Sequence, residues 1–359
     1  MIKNHTLQPG MISLAARFGV CLMLMLASVS TVRAQDESLK QAVSVYNTGD
    51  YSQAADLFSA LAKDEAVDVE VRKEALRYLG RAYIARSLID EARKAVTDLL
   101  DLQPPLIELD PDIEPPTLMN LYYEARGELE VPKGDPGMHT LAVMDFRNYA
   151  LDKHDQWDPM QWGFSSMMIE QLSGATDLKL VDRENLQWIL GELDLQQDPS
   201  RVDQATAVRV GKVMGAHAMV FGGIYVTGRD MRLSARVVKV ETSEILLGES
   251  VEGRVKNFYE LMEKLSLKVA QSINSSLTQT DIGNRTETKS LDAMRSYSEG
   301  LKLLEGEKYL AAHEKFLEAL EYDPSYRRAK LKADSLRPVL AAMGTSGSSN
   351  TGSSGGTLE

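Results

Sequence analysis

Apolar positions recur with two different periods along this chain. Residues 218–250, AMVFGGIYVTGRDMRLSARVVKVETSEILLGES, read as strand, tight turn, strand, short turn, strand. Met231, Leu233, Ala235 and Val237 alternate with Arg232, Ser234 and Arg236, the period of two that sends successive side chains to opposite faces. Membrane barrels show the same alternation, so on this signal alone a pore and a half-buried soluble sheet both stand. Val220, Ile224 and Val226 on one side, and Phe221 and Tyr225 on the other, make the first strand apolar on both faces. That predicts a strand between two layers. The runs TLAVMDF (140–146) and LKLV (178–181) are short, apolar and bounded by polar residues, which predicts two more strands.

Between these runs the period changes to that of a helix. Met160, Phe164, Met167, Met168 and Leu172 share a face over 160–173, and Leu186, Ile189, Leu190 and Leu193 share one over 183–193, where Asp182 can cap. A further helix is predicted over 202–214, stopping at Gly215. Another spans 257–273, with Phe258, Leu261, Leu265, Val269 and Ile273 as its stripe. Hairpin strands flanked by helices predict an α/β sandwich over 138–274, with a mixed, mostly antiparallel sheet. Gly222-Gly223 inside a strand predicts a bulge or close helix packing.

Both ends of the chain read as helical hairpins, so the fold class is α+β and multidomain. Residues 73–104 carry Leu76-x2-Leu79-Gly80-x2-Tyr83, then Ala92, Val96 and Pro104. This resembles the tetratricopeptide repeat, with small residues where two helices touch and large ones between. A weaker copy precedes it (Ala42, Tyr46, Tyr51, Ala54, Phe58). A third follows near the C-terminus (Gly300, Tyr309, Ala312, Phe316, Ala319, Pro324). Ordinary helical hairpins bury the same faces. The chain then divides into a leader over 1–34, helices over 35–130, a linker at 131–137 (VPKGDPG), the sandwich, a polar linker over 275–290, and a hairpin over 291–338. A Gly/Ser-rich tail over 339–359 is expected to be disordered. QPPLIELDPDIEPP, after residue 102, is too broken by proline for a helix.

The leader changes the chemistry available. Lys3 and Arg17 precede the apolar run Phe18–Ser30, and Val32-Arg33-Ala34 suits a signal peptidase, so cleavage is expected between Ala34 and Gln35. The single cysteine, Cys21, lies within the leader and ahead of most of the apolar run. An export signal therefore fits better than a lipidation signal, and the exported remainder has no thiol. The formal charge is −12, and three basic residues leave with the leader. An acidic chain of this kind argues against nucleic acid as a partner and against electrostatic docking on anionic lipid. Periplasmic location, with peripheral outer-membrane association, is the expectation.

Candidate chemistry is sparse. His139, His154, His217 and His313 show no metal-ligand spacing. DKHDQWDP (152–159) is the nearest approach to a polar site, and Asp158-Pro159 at the start of the next helix explains it as a loop. No G-x-S-x-G elbow, P-loop or dinucleotide fingerprint is present, so no enzyme, metal or cofactor is expected. In the tetratricopeptide frame Glu74, Arg77 and Arg81 point into a concave groove. There the two guanidiniums either hold a peptide carboxylate or pair with Glu74 and nearby acids.

The ordered segments LAVMDFRN, LKLVDRENLQWILGEL, GKVMGAHAMVFGGI and RVVKVETSEIL resemble the CsgG family of curli production assembly/transport components. The TolB amino-terminal domain is a looser cousin. The resemblance implies the soluble domain of that family without its pore. A channel would insert one membrane hairpin between FGGIYV and RLSARVVKV, which Thr227-Gly228-Arg229-Asp230 joins directly. The second would fall where only Arg254-Val255-Lys256 connect strand to helix. A non-enzymatic envelope adaptor using its repeats to recruit protein partners is the leading expectation. A ring-forming secretion component, with this chain as a homo-oligomer, is the alternative, and an envelope-polymer hydrolase is a weaker third.

Overall fold

The structure, a computed structural model, describes residues 35–102, 107–126, 139–175, 177–181, 211, 215–283 and 288–348. The chain forms two compact units, one up to Glu108 and one from Leu109. The leader, the linker at 131–137 and the predicted helix over 183–193 lie outside the described residues. So does the predicted helix over 202–214, except for Gly211.

The first unit is helical: α1 (35–47), α2 (Tyr51–Lys63), α3 (Val69–Ala85) and α4 (Ile89–Leu100). Asp50 caps α2 by accepting from the Gln53 amide at 3.0 Å, and Asp68 caps α3 by accepting from the Glu70 amide at 2.9 Å. α3 packs against both α2 and α4. Ala42, Ala54, Phe58 and Ala92 are fully buried, which is where the periodic pattern put small and large core residues. Tyr78 lies edge-on to Tyr46 and stacked on Phe58, each ring 5.2 Å away.

The second unit opens with α5 (Pro116–Arg126), expected from the sequence among the N-terminal helices. Next come β1 (His139–Val143), β2 (Arg147–Asn148), α6 (His154–Trp157), α7 (Met160–Leu172), β3 (Leu178–Val181), β4 (Ala218–Thr227), β5 (Asp230–Lys239) and β6 (Ile245–Arg254). The sheet order is β3-β1-β4-β5-β6, with β2 also pairing β4. The sheet is mixed. Its long β4-β5-β6 ladder is antiparallel, while the shorter β1–β3, β1–β4 and β2–β4 pairings are parallel. Tight turns force the antiparallel pairs, whereas β1 reaches β3 only after α7, a crossover that permits parallel pairing.

One face of the sheet is the core. Val220, Ile224 and Val226 stand opposite Val237, Leu233 and Met231, all buried. They pack towards α7 and α8 (Phe258–Ser272), whose Met160, Phe164, Met168, Leu172, Leu265 and Val269 are fully buried. Gly222 serves close packing, but with a side chain: the Phe146 ring occupies the space a Cβ would need. β4 keeps unbroken register with β5, and the irregularity falls instead at Val237/Val238 against β6.

The same core continues into α10 (Leu291–Glu305), α11 (Tyr309–Tyr322) and α12 (Arg327–Ser348), preceded by the short α9 (Gln279–Gly283). Two expectations change here. The segment expected as a polar linker over 275–290 is tied down where it is described. The Ser275 hydroxyl and Ser276 amide donate to Asp177, both at 2.7 Å, and Leu277 and Ile282 enter the core. The tail expected to be disordered from 339 is helical to Ser348, through Pro338, because Val339 is buried and Leu340 packs against the core. Residues 349–359 lie outside the described residues.

Candidate interaction surfaces

Glu74, Arg77 and Arg81 all lie on α3. Arg77 forms an ion pair with Glu74 at 2.5 Å, the i,i+3 geometry that helices favour. Arg81 is 7% exposed, with its guanidinium carbon 4.6 Å above the Tyr78 ring. Arg77 is thus paired within its own helix, and Arg81 is buried over Tyr78. Of the expected cleavage pair, Ala34 lies outside the described residues. Gln35 opens α1, donating to the Ala66 carbonyl at 3.1 Å and accepting from the Asp68 amide at 3.2 Å.

The DKHDQWDP segment disperses its polar groups. Asp152 accepts from the Gly228 amide at 2.8 Å, and Asp158 accepts from Gln161 at 2.8 Å and Lys302 at 2.7 Å. Trp157 is buried. His217 sits edge-on to His139, with ring centroids 5.3 Å apart. Among the described residues, no group of three or more His, Cys, Asp or Glu is arranged to hold a metal. No described helix is long and apolar enough to cross a membrane.

The second face of β4, β5 and β6 carries the more developed surface. Gly228, with φ of +59°, takes the first position of the two-residue turn between Thr227 and Asp230, as a type II′ hairpin requires. That turn sets the register and places Phe221 opposite Arg236, Gly223 opposite Ser234, and Tyr225 opposite Arg232. Arg232 stacks on Tyr225 at 4.3 Å and Arg236 on Phe221 at 5.2 Å. Tyr149 stacks on Tyr225 in turn, at 4.8 Å. The expectation of a strand apolar on both faces is thus revised: Phe221 and Tyr225 are half-buried beneath exposed guanidiniums. Between the two Arg–aromatic pairs lies a trench of about 490 Å³. Its floor is the row Gly223, Ser234 and Ser250.

In the sequence, Arg232 and Arg236 stand out only as the polar half of an alternation. A sharper signal is nevertheless present there: two aromatics four apart, a two-residue turn, then two arginines four apart.

A family match covers this part of the chain. Residues 122–232 match the family of the curli production assembly/transport component CsgG. The CsgG match runs from α5 into β5, so it includes the β4–β5 turn. β6 and α8, which the sequence resemblance took in, lie beyond it. No curated protein matches the chain. Among solved structures, TolB from Acinetobacter baumannii aligns at 14% identity and TM-score 0.28, over 40% of this chain and only 30% of that one. The LpoB C-terminal domain from Escherichia coli aligns at 16% identity and TM-score 0.28, over 35% and 90%. Lipoprotein GNA1162 from Neisseria meningitidis aligns at 11% identity and TM-score 0.30, over 37% and 99%.

Proposed function

We propose that this chain is a non-enzymatic adaptor or assembly factor of the cell envelope, exported to the periplasm and able to associate peripherally with the outer membrane. The observation that carries the reading is the closed β4–β5 hairpin inside the CsgG match. Ten consecutive pairs run from Ala218↔Lys239 to Thr227↔Asp230, and the turn has no room for a membrane-crossing insertion, which needs ~20 residues for two strands. A CsgG-like domain with its hairpin closed is suited to holding partners. The helical hairpins at either end, read as tetratricopeptide-like, add interaction surface. No cofactor enters this reading, and its partners are proteins, not nucleic acid.

The family's description as an assembly/transport component favours a second reading, a ring-forming part of a curli-type secretion apparatus. Light scattering on the purified chain separates the two, since a ring requires an oligomer and an adaptor does not.

The main test is chemical crosslinking in the envelope fraction of the native host, followed by capture of the tagged chain. We expect heteromeric crosslinks, with a several-fold lower yield for the Arg77→Ala/Arg81→Ala variant if the α3 surface recruits. Circular dichroism checks that the variant folds, because Arg81 is buried. Unchanged capture removes α3 from the function. Recovery without envelope partners, together with hydrolysis of envelope polymer, refutes the adaptor reading.

A further inference from the structure

We propose that the trench on the open face of β4, β5 and β6 is a docking site for an acidic, extended peptide segment of a partner protein, with Arg232 and Arg236 taking its carboxylates. This deepens the adaptor reading and rests on it.

Charge is the first argument. The chain carries a formal −12, yet two exposed arginines stand here, and among the described residues neither has a carboxylate partner. Glu252 is directly opposite Arg232 in the ladder but is not ion-paired with it, whereas Arg254 takes Asp230 at 3.1 Å. Of the carboxylates lining the trench, Glu249 is taken by Lys268 at 2.9 Å and Asp145 accepts from the Ser165 hydroxyl at 2.9 Å, so two arginines without a carboxylate partner suit an anionic ligand.

Preorganisation is the second. Each guanidinium carbon lies over an aromatic ring, a contact that a guanidinium can make while its N–H groups fork a carboxylate. A side chain already held in place loses less freedom on binding.

The third argument is shape. Arg232 and Arg236 are four residues apart on one strand, so their backbones are about 13 Å apart, while the floor crosses three strands, about 10 Å. That width takes one extended chain, whose alternate side chains point to the two walls. The floor stays low because Gly223 has no Cβ; one there would meet the Ser234 hydroxyl at 2.7 Å. A flat anionic membrane fits less well, since it would press on exposed Glu252 at the β6 end.

The probe is a fluorescein-labelled octapeptide, Gly-Ser-Glu-Asp-Glu-Asp-Ser-Gly, read by anisotropy against its Gln/Asn counterpart on the purified chain. We expect the acidic peptide to bind about tenfold tighter or more, and Arg232→Gln and Arg236→Gln each to weaken it about tenfold. Lysine at either position should restore only part, because an ammonium cannot fork. Ser234→Leu fills the floor without changing charge and should abolish binding, with the thermal midpoint checking that each variant folds. Equal binding of the two peptides, or no effect of the arginine substitutions, overturns the proposal. So does arginine-dependent binding to phosphatidylglycerol vesicles without peptide binding, which would make lipid the occupant. If the wild-type chain fails to bind the acidic peptide while the tagged chain still captures envelope partners, the trench proposal falls and the adaptor reading stands.

Discussion

Asp112→Asn should destabilise the second unit more than any surface substitution, because this carboxylate is shared by two cations on α12. Arg328 lies 2.7 Å from one Asp112 oxygen and Lys332 lies 3.2 Å from the other. The side chains are 12% exposed for Arg328, 2% for Lys332 and 16% for Asp112. Arg328 also reaches Glu170 at 3.2 Å and the Ser166 carbonyl at 3.2 Å, and Lys332 donates to the Pro111 carbonyl at 3.1 Å. The cluster thus fastens α12 to α7 and to the segment ahead of α5. Removing one partner of a buried ion pair costs about 3–5 kcal/mol, since the remaining charge stays out of water. Asparagine keeps an acceptor oxygen and Asp112 is not wholly buried, so the low end, about 3 kcal/mol, is expected. With a urea slope of about 3 kcal/mol/M, the midpoint should fall by about 1 M. Tryptophan fluorescence is a suitable assay because Trp157 and Trp162 lie in the second unit and the sequence up to Glu108 has no tryptophan. Glu170→Gln serves as the comparison and should cost about 1 kcal/mol or less, since Glu170 is 21% exposed and contacts one of the two cations. A fall below about 0.3 M for Asp112→Asn, at unchanged slope, would refute the view that the cluster needs this charge.

The same carboxyl gives a pH prediction. Burial pushes Asp112 up, but Arg328 and Lys332 outweigh it and hold the carboxyl below its ordinary value of 3.8. Asp177 is also lowered: burial opposes, and hydrogen bonds from Ser275 and Ser276 prevail. A depressed carboxyl contributes stability above its unfolded pKa, and that contribution is lost as pH falls through the folded value. Urea midpoints should therefore show no contribution from these two groups to any change above about pH 5 and should drop below about pH 4, with the gap between wild type and Asp112→Asn closing there; a gap that stays constant to about pH 2 would contradict this. Gly300→Ala tests the α10–α11 contact, where a Cβ would fall 2.5 Å from the Phe316 ring. Alanine gains about 1 kcal/mol of helix propensity, but overpacking costs about 1–3 kcal/mol. A lower midpoint is expected, and a higher one would show that Phe316 yields freely.

Much of the fold was legible because burial leaves a local trace. The apolar stripe through Met160, Phe164, Met168 and Leu172 became α7, and the alternation from Met231 to Val237 became the inner face of β5. Less legible was anything set by a partner distant in the chain. Nothing near 140 states that β1 pairs in parallel with both β3 and β4, since parallel neighbours are chosen by the path of a crossover. Leu277 and Ile282 sit among polar residues and so read as linker, although both enter the core and Ser275 and Ser276 bond to Asp177. At α3, helical spacing puts Glu74, Arg77 and Arg81 on successive turns of one helix. It could not show that Arg77 would close onto Glu74 or that Arg81 would lie over Tyr78.

By itself, then, the sequence determined the periods: which residues share a face, where the hairpin turns, and that the β4–β5 connection is too short for an insertion. These follow from backbone geometry, which repeats about every 2.0 or 3.6 residues whatever surrounds it. Tertiary structure alone decided what each face meets. Asp112 gained Arg328 and Lys332 as partners, and the C-terminal helices joined the core of the sheet. On the outer face, Arg232 and Arg236 came to rest on aromatic rings with open ground between them. Those outcomes depend on which surfaces remain to be covered once the layers pack, and a local pattern carries no record of that.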